Sequence, residues 1–298
     1  WMLAGGNDSL DWFKDRIKQP KAVIDLNGVA EMKGVREKGD GIEVGALTSL
    51  TEIANHPVIQ KQYNLLAAAA GKVASPQIRN SGTIGGNVCQ DTRCWYYRAG
   101  MDCYRAGGNT CYADTPEAMN REHCLFNADR CVAVSPSDTA PALIALDAQM
   151  VVVNGGGVEM IKAEDFFIGP DIDILKMTVL KEGDILTSVR IPGSWAGANF
   201  YFEKVADRNT WDFALVNVAA ALKIKGGVIE DLRIACGGVE CVPRRLTVVE
   251  DVVRGNKRDE EIANLAAGSA SRGAVPLNQN HFKIPLMENL VKRAIREA

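Results

Sequence analysis

Six of the chain's eight cysteines fall between Cys89 and Cys131, directly after a glycine-rich turn that reads Ser81-Gly82-Thr83-Ile84-Gly85-Gly86-Asn87. Phosphate groups are held well by successive backbone N–H groups that only small residues leave exposed, and an iron–sulfur cluster needs four thiolates on a loop flexible enough to wrap it. Both requirements are met side by side. A secreted disulfide framework is normally a shorter chain with cysteines spread throughout, so this clustering favours metal binding.

The chain's 298 residues, 47% hydrophobic and 24% charged, are enough for two or three packed subdomains with their own cores. A formal charge of −3 and a pI near 5.8 leave no cationic excess to neutralise a phosphate backbone, which argues against nucleic acid as a partner. No stretch reaches the roughly 18 consecutive apolar residues of a membrane span. The opening residues Trp1-Met2-Leu3-Ala4-Gly5-Gly6 enter a glycine turn with no initiator methionine at position 1, so the chain reads as lacking its beginning, with any leader out of view.

Apolar spacing and breakers predict an α+β organisation of short elements. Residues 21–27 and 41–47 read as strands, and 51–56 and 59–71 as helices. Ser137-Asp138-Thr139 supplies an N-cap for a helix over 140–148, because these side chains accept the free N–H groups of a first turn. Strands over 150–154, 158–161 and 185–191 follow. The segment Pro192-Gly193-Ser194-Trp195-Ala196-Gly197 punctuates regular structure and suggests a subdomain boundary. Beyond it, strands 214–224 and 228–236 flank Lys225-Gly226-Gly227, where glycines accept the positive φ of a tight hairpin. Helices over 246–254, 259–268 and 285–296 close the chain.

By itself, Ala4-Gly5-Gly6-Asn7-Asp8-Ser9 is explained by a plain turn at least as well as by a cofactor loop. Thr83-Ile84-Gly85-Gly86-Asn87 is the stronger motif, since an apolar residue anchors the turn while Gly85 and Gly86 are expected to leave their amides open. Only three histidines exist, His56, His123 and His281, and none has a spaced partner that would make a metal pair or a nucleophile-activating dyad. His123, beside Cys124, reads as a solvated loop residue, with a spare-ligand role as the alternative.

In order along the chain, residues 4–8 (AGGND), 77–87 (QIRNSGTIGGN), 132–143 (VAVSPSDTAPAL), 182–192 (EGDILTSVRIP), 202–219 (FEKVADRNTWDFALVNVA) and 237–245 (GGVECVPRR) together resemble the medium, FAD-binding subunit of the molybdenum hydroxylases, the xanthine dehydrogenase family. The resemblance implies an α+β fold. A two-part FAD-binding domain of the PCMH or vanillyl-alcohol-oxidase type would cover residues 1–192, with an iron–sulfur insertion at about 89–131, and a smaller α+β domain would cover 196–298. On matching positions, Ala4, Gly5, Gly6, Asn7 and Asp8 with Ser81, Thr83, Ile84, Gly85, Gly86 and Asn87 would hold the FAD pyrophosphate and ribityl region, chiefly by backbone amides. Asp138 would be a hydrogen-bonding acid near the flavin, and Leu186 and Lys204 would lie near the isoalloxazine ring. A cation there suits an anionic reduced flavin; a solvated strand lysine is the alternative. The chain departs from the family at residues 279–287 (QNHFKIPLM), where an acidic-arginine-tyrosine signature is usual, and this puts in doubt the surfaces offered there to partner subunits.

The cysteine loop is similar to one in the medium subunits of 4-hydroxybenzoyl-CoA reductase and certain aldehyde oxidoreductases, which carries an extra 4Fe-4S cluster. The likeness sits in residues 91–97 (DTRCWYY) and 130–134 (RCVAV) and implies Cys94, Cys103, Cys111 and Cys131 as ligands, with Cys124 left out. Zinc, disulfides or inert thiols remain alternatives, although structural zinc sites usually show closer C-x₂₋₄-C pairs. Cys89, Cys236 and Cys241 read as structural. By resemblance, FAD exchanges two electrons with an external electron carrier and passes them singly through clusters. A molybdopterin-binding large subunit carries the substrate chemistry, and a small subunit with two 2Fe-2S clusters connects the two, as a dimer of heterotrimers. No catalytic residue is expected in this chain. The complex is expected in the cytoplasm, with periplasmic export alongside a partner as the alternative. The rivals are a non-redox scaffold whose loop holds zinc or nothing, and an independent flavin oxidase, for which the roughly 100 residues beyond Pro192 leave little room.

Overall fold

The computed structural model describes all 298 residues. The chain opens with β1 (Met2–Leu3), α1 (Ser9–Lys14) and β2 (Ile24–Asp25), the two strands pairing in parallel. Only these two residues of the predicted strand 21–27 are paired; Val23 and Ile24 are exposed, so apolar content there does not signal a buried strand. The hairpin β3 (Val35–Lys38) and β4 (Gly41–Gly45) leads into five short helices, α2 (Leu50–Asn55), α3 (Pro57–Gln62), α4 (Asn64–Gly71), α5 (Pro76–Ser81) and α6 (Ile84–Val88). Residues 59–71, expected as one helix, break at Tyr63 (φ −136°, ψ 42°). The break turns a wholly buried ring into the core, where its hydroxyl donates to Pro192 O at 3.4 Å.

The cysteine segment holds only α7 (Trp95–Arg98) and two single 3₁₀ turns, at Tyr104–Ala106 and Tyr112–Asp114. Regular structure resumes at α8 (Thr139–Ala145), where Ser137 Oγ accepts from Ala140 N at 3.1 Å and so performs the capping expected of the Ser-Asp-Thr triplet. β5 (Gln149–Asn154), β6 (Gly157–Lys162), α9 (Ala163–Phe166) and β7 (Ile185–Ile191) follow, completing an antiparallel sheet of order β3-β4-β7-β5-β6. Leu66, Leu143, Val44, Met150 and Val189 meet in the core between this sheet and the helices α4 and α8.

The remaining strands, β8 (Asn199–Val205), β9 (Val216–Lys225), β10 (Val228–Gly237) and β11 (Arg244–Arg245), form a second antiparallel sheet of order β11-β10-β9-β8. Helices α10 (Thr247–Val253), α11 (Glu260–Ala270) and α12 (Lys283–Glu297) close the chain. From Val218 to Leu222, β9 reads as an unbroken apolar run because both of its faces are covered there. Val216, Val218, Ala220 and Leu222 join the core under α10 to α12, while Ala219 and Ala221 join the core of the first sheet. Gly226 (φ 57°) and Gly227 (φ 79°) make the two-residue β9–β10 turn, both in the left-handed region that a type I′ hairpin demands.

Candidate functional site

A cleft of about 530 Å³, within the usual range for small-molecule and cofactor sites, lies between the first glycine turn, the end of α5 and the end of β8. Gly5, Gly6, Asn7 and Asp8 form one wall, and Gly82, Thr83, Gly86 and Asn87 face them. From Ala4 to Ser9, no backbone N–H donates to an acceptor within the chain. Gly5 is required by close approach, since a Cβ there would stand 2.1 Å from Ser81 O. Asn7 Nδ2 pins the walls together by donating to Ser81 Oγ at 3.2 Å and Ile78 O at 3.3 Å.

The second glycine turn behaves differently from expectation. Its amides from Ile84 to Asn87 are consumed: Ile84 N donates to Thr48 O at 3.0 Å, Gly85 N to Ala46 O at 2.8 Å, and Asn87 N to Thr83 O at 2.9 Å, while Gly86 N is capped by Thr83 Oγ1 at 3.0 Å. The turn is the start of α6, whose first N–H groups have no acceptor within the helix and are taken up by carbonyls of the segment after β4 and by the Thr83 cap. Gly85 is needed for packing, because its Cβ would meet Ala46 O at 2.8 Å. Neither Ile84 nor Gly85 lines the cleft, and Ser81 stands behind its wall. Leu186, expected near the flavin ring, is buried opposite Val152 in the first sheet and does not line the cleft either. Asn87 does: its Oδ1 accepts from Ser137 Oγ at 2.7 Å and Thr139 Oγ1 at 2.6 Å, so its NH₂ end is left without a partner in the chain.

Asp138 and Lys204 also line the cleft and form an ion pair of 2.6 Å, with side chains only 4% and 6% exposed. Lys204 Nζ also donates to Lys72 O at 3.1 Å, and Asn217 Nδ2 donates to Asp138 Oδ1 at 2.9 Å. Burial pushes the Asp138 carboxyl up, with Lys204 and Asn217 opposing it. Asn217 Oδ1 is buried without a partner. Trp211 and Phe213 lie within the matching stretch 202–219 but were given no site role from it; they border the cleft from the loop after β8, and Trp211, exposed and at φ 75°, is held by its backbone N–H donating to Ala74 O at 2.9 Å.

Next to the cleft, Cys94, Cys103, Cys111 and Cys131 line one small cavity together with Tyr97 and Arg105. Cys124 does not line it and packs with Ala113 and Val132. No three His, Cys, Asp or Glu side chains converge on a position for a single ion. Burial pushes the Cys94 thiol up to about 12. Cys131 is drawn below the usual thiol range by a hydrogen bond with Cys241 and, against its burial, by the Arg105 charge. Metal loading would have to displace the thiol protons.

Three cysteine-loop expectations change. Cys241 is no ordinary core residue: it packs with Cys131, and its Sγ accepts from Arg105 Nη2 at 3.5 Å. His123 is 4% exposed rather than solvated, with Nε2 3.3 Å from Cys94 Sγ, and burial pushes it down to about 4. Cys89 is exposed and lines the cleft, whereas Cys236 lies in the second core as expected. The atypical segment 279–287 has a partner within the chain. Asn280 Nδ2 donates to His123 O and Cys124 O, and the wholly buried Lys283 Nζ donates to Glu122 O, His123 O and Gly238 O at 2.7–2.9 Å. The loop is also tied to the first glycine turn, since Arg98 Nη2 donates to Asp8 Oδ1 at 2.6 Å and Asp91 N to Asp8 Oδ2 at 3.1 Å.

Residues 1–194 match the FAD binding domain in molybdopterin dehydrogenase, and residues 201–298 match the CO dehydrogenase flavoprotein C-terminal domain. The chain is 31% identical to the aldehyde oxidoreductase FAD-binding subunit PaoB of Escherichia coli (strain K12), over 99% of this chain and 90% of that one. It is 28% identical to the carbon monoxide dehydrogenase medium chain of Hydrogenophaga pseudoflava, over 100% and 88%. A solved carbon monoxide dehydrogenase from Hydrogenophaga pseudoflava superimposes with a TM-score of 0.78 at 27% identity, covering 100% of this chain and 88% of that one. No helix is long and apolar enough to cross a membrane. The matches cover both halves of the chain, and on them it belongs to the family of FAD-binding medium subunits of molybdenum-dependent dehydrogenases.

Proposed function

We propose that this subunit moves electrons between FAD in the cleft, a 4Fe-4S cluster held by Cys94, Cys103, Cys111 and Cys131, the 2Fe-2S clusters of a small subunit, and an external carrier. The observation that carries the reading is adjacency. A cleft walled by unspent amides and a cavity walled by four cysteines share one stretch of chain, in which Asp91 borders the first and Thr92 and Cys94 border the second.

The residues fit both groups. The free N–H groups from Ala4 to Ser9 would hold the pyrophosphate, the Asn87 NH₂ would donate to the ribityl region, and Lys204 would lie beside the ring with its ammonium fixed by Lys72 O and by Asp138, which Asn217 holds in turn. FAD, once bound, supplies conversion between two-electron and one-electron transfer. Four cysteines lining one cavity are the donor set that a 4Fe-4S cluster takes, one thiolate to each iron, once their protons are displaced. Substrate chemistry would belong to a molybdopterin-bearing large subunit, in a cytoplasmic complex assembled as a dimer of heterotrimers.

Anaerobic purification with flavin, iron and visible absorption measured per chain tests this. One FAD and about four iron atoms are expected, and the isolated chain should oxidise no aldehyde or purine. Zinc in place of iron, or substrate-dependent reduction of an artificial acceptor by this chain alone, would refute it.

A further inference from the structure

We propose that Arg105 is the hydrogen-bond donor and counter-charge of the cluster held by the four cysteines, and that it sets the cluster's reduction potential, with Asp91 tempering it. This rests on the cluster reading above. The Arg105 side chain is 1% exposed and lines the cysteine cavity. Its guanidinium is under-used: Nη2 donates to Cys241 Sγ at 3.5 Å, Nη1 donates to Lys176 O at 3.4 Å and stands 3.6 Å from Asp91 Oδ1, and Nε is buried with no partner. A guanidinium has five N–H donors and stays charged, so burying it with weak acceptors is costly unless a further acceptor is present in the working protein. Cluster sulfur in the cavity is such an acceptor.

The sign follows from charge. One electron, delivered by reduced flavin, adds one negative charge to the cluster, and a cation in a dry cavity wall stabilises the reduced form and raises its potential. Asp91 acts oppositely, because its carboxylate partly neutralises Arg105. Asp91 also lines the flavin cleft, so the Arg105–Asp91 pair spans the wall between the two cavities.

The test is potentiometric titration of the assembled complex, followed by low-temperature electron paramagnetic resonance of the reduced cluster, with iron counted per chain. Arg105→Met should keep its iron and make cluster reduction about tenfold less favourable, a fall of 59 mV for one electron. Arg105→Lys, which keeps the charge and loses the fork, should fall less, and Asp91→Asn should shift the potential upward. An unchanged potential in iron-replete Arg105→Met would overturn the proposal. If that variant loses its iron, Asp91→Asn decides: an upward shift supports the proposal, and no shift or a downward one overturns it. A complex of unsubstituted chains without iron would instead refute the cluster reading itself.

Discussion

Gly5→Ala is the sharpest probe of the flavin cleft. The added Cβ would lie 2.1 Å from Ser81 O, 2.9 Å from Ser81 C and 3.1 Å from Gly82 Cα, all of them backbone atoms. That wall cannot easily yield, because Gly82 N donates to Ile78 O at 2.6 Å and Gly82 O accepts from Leu50 N at 2.9 Å. The first glycine turn must therefore move by about 1 Å, an overpacking that costs roughly 1–3 kcal/mol of stability. The effect on binding is larger. Each charge-assisted bond from a backbone N–H to a phosphate contributes about 1.5–3 kcal/mol, so misaligning two costs roughly 3–6 kcal/mol, or two to four decades in Kd. Flavin fluorescence titration of the cofactor-free protein, with Tm beside it, reads both. Gly86→Ala is the control, since its Cβ would meet only Thr83 Oγ1, at 3.1 Å, and its N–H is already spent. Wild-type FAD affinity in Gly5→Ala, or a greater loss in Gly86→Ala, would refute the assignment of the first turn as the anion cradle.

Asp138→Ala strands the buried Lys204 ammonium and should cost about 3–5 kcal/mol in urea denaturation; a loss below about 1 kcal/mol would mean that the pair is not closed in solution. Cys124→Ala should keep about four iron atoms per chain while Cys131→Ala loses or degrades the cluster, and the reverse pattern would exchange their roles. Burial pushes Glu43 up, but Arg190 at 2.7 Å and Arg36 at 3.2 Å outweigh it and hold the carboxyl below its ordinary value. The pairing therefore stabilises the fold fully above the unfolded carboxyl's pKa, and its contribution is lost as pH falls through the lower folded value. Glu43→Gln should lose about 1–3 kcal/mol at pH 7 and converge with the wild type in acid; a gap that persists at pH 2 would rule out the ion pairs as its source.

The β9–β10 hairpin was legible because its signals are local: an apolar run on each side of two glycines. β8 was not. Its residues are half-buried, and Glu203 and Lys204 interrupt any apolar alternation, since Lys204 turns toward the cleft instead of a core. Asp138 and Lys204 were expected near the flavin only by resemblance, because nothing in their local sequence distinguishes a buried pair from two solvated charges. The ranking of the glycine turns was reversed for a similar reason. A sequence shows which residues lack a Cβ, but not whether the neighbouring amides are already spent, and those of α6 go to Ala46, Thr48 and Thr83. Cys241 carried no signal at all, since its partner Arg105 is 136 residues away.

The tether between the two sites makes their loading asymmetric. Cys94 precedes α7, whose Arg98 holds Asp8 at 2.6 Å and, through Nε, Thr92 O at 3.0 Å. Loss of the proposed cluster would free Cys94 and so loosen α7, Arg98 and the first glycine turn in sequence. The converse chain is weaker, because the far side of the loop is fixed elsewhere: Leu125 N donates to Val239 O at 2.7 Å, Ser135 N to Glu240 O at 3.0 Å, and Lys283 clasps three carbonyls. Cys94→Ala should therefore lose iron and also bind FAD about tenfold more weakly, as expected if roughly 1.4 kcal/mol of turn ordering is forfeited. Gly5→Ala should lose FAD and keep its iron. Iron and flavin assays on the two purified variants decide the matter: full flavin affinity in iron-free Cys94→Ala would show that the Arg98–Asp8 contact does not carry order from one site to the other.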